Sequence, residues 1–230
     1  SKGDYLAAIG KFNEVKRYYE NSGNVDEAEF FRAKSLIALD RHDEALAILN
    51  HFRSEGEKER RAEAIYLYAT IEYELEHFEQ SAEGFSQFLE EEKGREERDR
   101  ALYMLGDSHR KLGNYQESYR AFQRRLDDAL LPREERLKTS LDLTEVLVEE
   151  GRFEDAYREL EEIRKDVTAS EDSLKIDFRK GGGLIAEGRM DEAVVLYEES
   201  LKDAPSSEVA ADVAFALGDL YLNHYGQKDS

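Results

Sequence analysis

The segment Gly113-Asn114-Tyr115-Gln116-Glu117-Ser118 decides how this chain is read, because copies of it recur as Gly3-Asp4-Tyr5-Leu6-Ala7-Ala8, Gly151-Arg152-Phe153-Glu154-Asp155-Ala156 and Gly188-Arg189-Met190-Asp191-Glu192-Ala193. Two looser copies stand between them, Asp40-Arg41-His42-Asp43-Glu44-Ala45 and Glu76-His77-Phe78-Glu79-Gln80-Ser81. The bulky members Tyr5, His42, Phe78, Tyr115, Phe153 and Met190 are 37, 36, 37, 38 and 37 residues apart. So steady a period marks a repeat protein, whose units are each too thin to bury their apolar side alone and are sheltered by their neighbours.

Each phrase reads as a helix stop followed by a helix start. Glycine, or a polar stand-in, takes the left-handed conformation that closes one helix, and acidic residues then complement the dipole in the first turn of the next. Three residues after the bulky member a small one follows (Ala8, Ala45, Ser81, Ser118, Ala156, Ala193), and four further on a large apolar one (Phe12, Leu49, Phe85, Phe122, Leu160, Tyr197). Residues four apart share a helix face, so the small one admits a neighbouring helix and the large one fills the next layer. Nine residues before the bulky member lies a second small column, Ala33, Ala69, Gly106, Thr144 and Gly181, which extends to Gly218 if Gln227 takes the bulky slot of a final phrase. Each unit is therefore expected to be two antiparallel helices. Twelve helices are predicted near 5–21, 25–39, 42–54, 59–75, 78–92, 96–112, 115–130, 133–150, 153–166, 171–187, 190–203 and 207–224.

These columns resemble the tetratricopeptide repeat family. Leu102, Leu105-Gly106, His109, Gly113, Tyr115, Ser118 and Phe122 form the best copy, Leu217-Gly218-x-x-Tyr221 is another, and Pro205 falls twelve residues after Ala193, where the family often places proline. The chain departs from the family in having no tryptophan, in a period longer than about 34 residues, and in Lys180-Gly181-Gly182-Gly183 where Leu-Gly is usual. A Sel1-like repeat is the alternative, but its Ala-Ala-x-x-Gly pattern is not found. The resemblance implies an all-α fold, a right-handed α-solenoid of antiparallel helix pairs. It would be one solenoid over 1–230: the second helix of a truncated repeat at 1–22, repeats near 23–56, 57–93, 94–131, 132–168 and 169–205, and the first helix of a truncated repeat at 206–230. Cut in that phase, the chain is expected to be a segment of a longer array whose open ends associate end to end.

Composition narrows the partners. The net charge is −20, shared as 17 basic and 25 acidic residues over 1–115 and 16 and 28 over 116–230, so both halves repel nucleic acid and anionic lipid. A protein or peptide of basic or neutral character is expected, with no nucleic acid and no membrane insertion, since no apolar run of about 18 residues exists. Without cysteine there is no disulfide framework, thiolate metal site or cysteine nucleophile. His42, His51, His77, His109 and His224 share no ligand spacing, so no metal site is predicted. The triple glycine lacks the strand and the Gly-Lys-Ser/Thr ending of a phosphate loop and reads as a helix thinned or bent for close approach. The acidic pairs Glu134-Glu135 and Glu161-Glu162, and the run Glu90-Glu91-Glu92, read as solvated charge. No catalytic residue or cofactor is expected, and the chain is read as not an enzyme.

What the resemblance implies about function centres on the inner face, which the family lines with the first helix of each pair. Here it would comprise Phe30, Lys34, Tyr66, Thr70, Tyr73, Tyr103, Asp107, Arg110, Glu145, Phe178, Phe215 and Asp219, with Leu141, Ile37, Val148, Ile185 and Leu222 in the same columns. Tyrosine offers area and a hydrogen-bonding handle at low entropic cost. The aromatics could hold a peptide or merely pack neighbouring helices. Tyr66 and Tyr103 are expected to be removable without loss of stability. The family's clamp for an acidic C-terminal tail is disfavoured, because the row that would carry it holds Asp107, Glu145 and Asp219 and no asparagine. The expected function is a non-enzymatic scaffold that binds a partner's peptide or helix. The alternative is a periplasmic segment of a bacterial envelope export machine that recruits enzymes or guides a secreted polymer. The compartment is left between bacterial cytoplasm and periplasm, with a lean to the periplasm; any export signal would lie outside this sequence, since Ser1-Lys2-Gly3-Asp4 opens no apolar stretch.

Overall fold

A computed structural model describes residues 2–91, 95–203 and 207–225. Glu92, Pro205 and Gln227 lie outside the described residues, as do the side chains of Glu96 and His224. Twelve helices follow one another: α1 (Lys2–Tyr18), α2 (Val25–Ile37), α3 (His42–Glu55), α4 (Lys58–Glu74), α5 (Phe78–Glu91), α6 (Arg95–Lys111), α7 (Tyr115–Leu126), α8 (Arg133–Glu149), α9 (Phe153–Arg164), α10 (Ser170–Ala186), α11 (Met190–Asp203) and α12 (Glu208–Leu220). A π-helical turn, Tyr221–Tyr225, continues α12. The chain divides into two compact units, Ser1–Gly113 and Asn114–Ser230. In the first, α1 packs on α2, α2 on α3, α3 on α4, α4 on α5 and α5 on α6; in the second, α7 packs on α8, α8 on α9, α10 on α11 and α11 on α12.

The recurring phrase does what its residues dictate. Gly113, Gly151 and Gly188 have φ of 73°, 78° and 86°, and the stand-ins Asp40 and Glu76 are held at 58° and 61°. Around Gly188 the Gly188 N–H donates to the Ile185 carbonyl at 3.0 Å and the Arg189 N–H to that of Leu184 at 2.8 Å, the paired bonds that close a helix through a left-handed residue. Gly151 with Arg152, Asp40 with Arg41 and Glu76 with His77 repeat the pair. An arginine then grips the acid three residues on: Arg41 with Glu44, Arg152 with Asp155 and Arg189 with Glu192. The Asp155 and Glu192 carboxyls are accordingly held below the ordinary carboxylate range by those guanidinium hydrogen bonds. Left-handed backbone strains a residue with a side chain. Glu76→Gly is therefore expected to raise stability by up to about 1 kcal/mol, the strain relieved exceeding the added flexibility of the unfolded chain; urea melting reads it.

The small columns lie at the helix crossings. Ala33, Ala69 and Thr144 are fully buried, as are Ala45, Ser81, Ser118, Ala156 and Ala193. Beyond them Leu49, Phe85, Phe122, Leu160 and Tyr197 are at most 1% exposed. At α4–α5 the approach is so close that a Cβ on Gly84 would stand 2.7 Å from that of Ala69.

Two helix ends differ from expectation. Helix α1 begins at Lys2 and runs through Gly3. Helix α7 stops at Leu126 instead of near 130. The Arg136 guanidinium donates to the carbonyls of Leu126 and Asp128 at 2.7 and 2.6 Å, and the Asp128 carboxylate accepts the Leu130 N–H, so the end is capped from α8. The triple glycine does not interrupt α10, which passes through it as continuous helix.

Candidate functional site

In the first unit the first-type helices are α2, α4 and α6. Phe30 is 2% exposed, its ring edge-on to Phe52 of α3 at 5.2 Å, so it belongs to the core. Lys34 is exposed and pairs with Glu63 of α4 at 2.7 Å. Tyr66 is half-buried against Phe85 and Phe88 of α5, at 6.0 and 5.1 Å between centroids. Truncating it would open a gap against two core rings, contrary to the expectation that it can be removed at no structural cost. The Thr70 hydroxyl donates back to the Tyr66 carbonyl. The Tyr73 hydroxyl donates to Asp107 of α6 at 2.5 Å, and Arg110 donates to the same carboxylate at 3.1 Å. Tyr103 is half-buried. This face is thus tied together by its own polar groups.

The second unit differs. On α8, α10 and α12 a groove of about 390 Å³ is walled by Val148, Phe178, Ile185 and Ala216, with Gly182 and Gly183 as bare backbone at its floor and Glu145, Glu149 and Arg179 at its rim. Arg179 pairs with Glu145 at 2.8 Å. Phe178 leans on Tyr197 of α11 with centroids 6.1 Å apart and stays 36% exposed. Phe215 is 80% exposed, and Asp219 accepts from the Asn223 amide. Of the polar rim, Glu145 was read in the sequence but Arg179 and Glu149 were not: they fall outside the columns followed, although Arg179 lies three residues before Gly182 and so on its side of the helix.

The triple glycine builds the site in layers. A Cβ on Gly181 would overlap the Tyr197 ring, whose hydroxyl donates to the Phe178 carbonyl at 3.1 Å, whereas nothing lies within 4 Å of one on Gly182. Gly181 therefore seats the core and Gly182 opens the groove. Burial pushes the Tyr197 hydroxyl up to about 12. A tyrosine whose folded pKa exceeds its unfolded value near 10 stabilises fully below pH 10 and loses that contribution as pH rises toward 12. Tyr197→Phe is accordingly expected to flatten the fall in stability above pH 10, measured by urea titration at stepped pH.

A larger depression, about 850 Å³, lies between α9 and α11. Its cations are already engaged: Lys180 with Glu161, Arg158 with Asp155 and Arg189 with Glu192.

Comparison with known proteins decides the family. Tetratricopeptide repeat profiles match residues 66–130 and 27–51. No curated protein matches in sequence. Among solved structures, the C-terminal part of a TPR repeat-containing protein from Cytophaga hutchinsonii superposes with a TM-score of 0.71 at 13% identity, over 98% of this chain and 84% of that one. Residues 27–51 and 66–130 are tetratricopeptide repeats, and the chain has the tetratricopeptide fold. Its helix pairs are those of the tetratricopeptide α-solenoid, as the resemblance implied. YrrB, a TPR protein with an unusual peptide-binding site, matches at 0.62 and 14% identity over 88% of this chain and 97% of its own. MamA from Desulfovibrio magneticus RS-1 matches at 0.62 and 13% over 81% and 98%. This fold is one used for protein–protein interaction scaffolds.

Proposed function

We propose that this protein is a non-enzymatic scaffold that binds a peptide or helix of a basic or neutral partner on the first-helix faces, with the groove over Gly182 as principal anchor site. The observation that carries this reading is a floor without side chains between apolar walls, Val148, Phe178, Ile185 and Ala216. A large apolar side chain entering there buries its surface against Phe178 and bare backbone, while the rim, two carboxylates against the one guanidinium of Arg179, favours Lys or Arg beside it. Few such anchors supply most of an interface's energy, so one groove suffices to hold a short segment. In the first unit Lys34, Thr70, Tyr73, Tyr103, Asp107 and Arg110 would contribute polar points of contact.

Gly182→Leu tests the reading. A Cβ there meets nothing within 4 Å, so the side chain can grow into the groove from its floor, and leucine favours helix over glycine. Against peptides selected on the wild-type chain from a displayed random library, affinity is expected to fall about tenfold or more, a loss of at least about 1.4 kcal/mol, with no drop in melting temperature. Undiminished affinity in this variant refutes the groove as anchor.

A further inference from the structure

The depression between α9 and α11 lies on the opposite side of α10 from the groove over Gly182. Lys180 and Leu184 turn into it, and each stands two residues from Gly182, which on a helix is about 160° around the axis. Its floor is apolar: Tyr157 from α9, Leu184 from α10, Val195 and Leu196 from α11. Val195 breaks the repeat pattern. Five residues after the bulky member, the four preceding phrases place Ala47, Glu83, Arg120 and Arg158, whereas α11 sets a branched apolar side chain there and leaves it 53% exposed. Around this floor the charge is one-sided. Six carboxylates line the depression against three cations, and the cations are engaged: Lys180 with Glu161 at 2.8 Å, Arg158 with Asp155 at 3.0 Å and Arg189 with Glu192 at 2.7 Å. No cation among the described residues pairs with Glu154 or Glu199, which stand one on each wall.

We infer that this outer depression is a second docking surface, independent of the groove over Gly182, and that its occupant is a basic amphipathic helix of a partner protein. Helices α9 and α11 have 12 and 14 residues, so the walls run about 18–21 Å, the length of three to four helical turns. An extended segment would bring unpaired peptide groups to walls whose own backbone bonds are made and whose cationic donors are taken. A helix arrives with its backbone satisfied. Apolar residues at i, i+3, i+4 and i+7 of that helix meet Tyr157, Leu184 and Val195, while flanking Lys or Arg meet Glu154 and Glu199. The Tyr157 hydroxyl donates to Glu187 at 2.9 Å and Arg189 is clamped by Glu187 and Glu192, so the walls are set before the partner arrives. Charge selects the sign of the partner; the apolar floor holds it.

The test selects binders from a displayed library of helical peptides about 14 residues long, with the Gly182→Leu variant as bait so that the inner groove is filled. The selected peptides are expected to carry Lys or Arg beside an apolar stripe at i, i+3, i+4 and i+7. Their affinity is read by fluorescence anisotropy at about 0.15 M salt, where long-range attraction is largely screened. It is expected to fall about tenfold or more when Val195→Glu is added to the bait, and severalfold with Glu199→Lys. Both positions are exposed and both new residues are good helix formers, so helicity by circular dichroism should be retained. Val195→Glu separates apolar contact from charge alone, because it adds a carboxylate: a surface that held basic peptides by charge alone would bind them more tightly in this variant. Affinity that rises or stays unchanged in Val195→Glu overturns the inference, as does a library that yields no binder or only binders without basic residues. Self-association of the wild-type chain that Val195→Glu abolishes overturns it in favour of a second copy as occupant.

Discussion

Gly181→Ala is expected to destabilise the protein by about 2 kcal/mol, and Gly182→Ala, one residue along the same helix, to stabilise it by about 1 kcal/mol. Both substitutions add one methyl group to α10 and both relieve the same helix-propensity penalty of glycine, so the difference isolates what the methyl meets. At Gly181 it meets the Tyr197 ring, which is 1% exposed and cannot retreat without losing its hydrogen bond to the Phe178 carbonyl and its place against Phe178. Overpacking of that kind costs about 1–3 kcal/mol or more, which outweighs the propensity gain. At Gly182 the methyl meets nothing within 4 Å and the gain stands alone. Urea denaturation of both variants reads the two signs. Equal effects would mean that Tyr197 does not lie on Gly181, and with it the account of the groove floor would fail.

This pair also marks how far the sequence could be read. Turn chemistry and the small and large columns are local in origin: Gly151 and Gly188 close the helix before them through a left-handed turn, and Ala156 is small because a helix crosses there, so the spacing of the phrases places the helices. The role of each glycine in Lys180-Gly181-Gly182-Gly183 is not local. It depends on which face of α10 meets α11, and hence on Tyr197, sixteen residues beyond Gly181. The same limit applies to the rail. Phe30, Tyr66 and Phe178 occupy one column, but their exposure depends on which aromatic the second helix offers: Phe30 is sealed by Phe52, Tyr66 rests on Phe85 and Phe88, and Phe178 is left open where the floor of the groove falls away at Gly182. The polar ties behave alike. Tyr73 and Asp107 stand 34 residues apart, close to one repeat, so the period brings them together, yet nothing in either residue's neighbourhood foretells that the hydroxyl would be spent on that carboxylate.

Phe85→Ala is expected to cost about 3–5 kcal/mol, and Phe12→Ala, the same residue in the same column one helix pair from its complement, a fraction of that. Phe85 is fully buried, with Tyr66 edge-on and the tight Ala69–Gly84 crossing beside it, so the cavity left by the ring has no slack around it to collapse. Phe12 touches one ring, Phe31, at 6.2 Å and is open on the side that would face a first-type helix, so truncation there exposes little that was hidden. The comparison holds residue type, helix type and column position constant and varies only coverage. Denaturant melts of the two variants read this expectation: equal costs for the two substitutions would contradict the difference in coverage between the two rings.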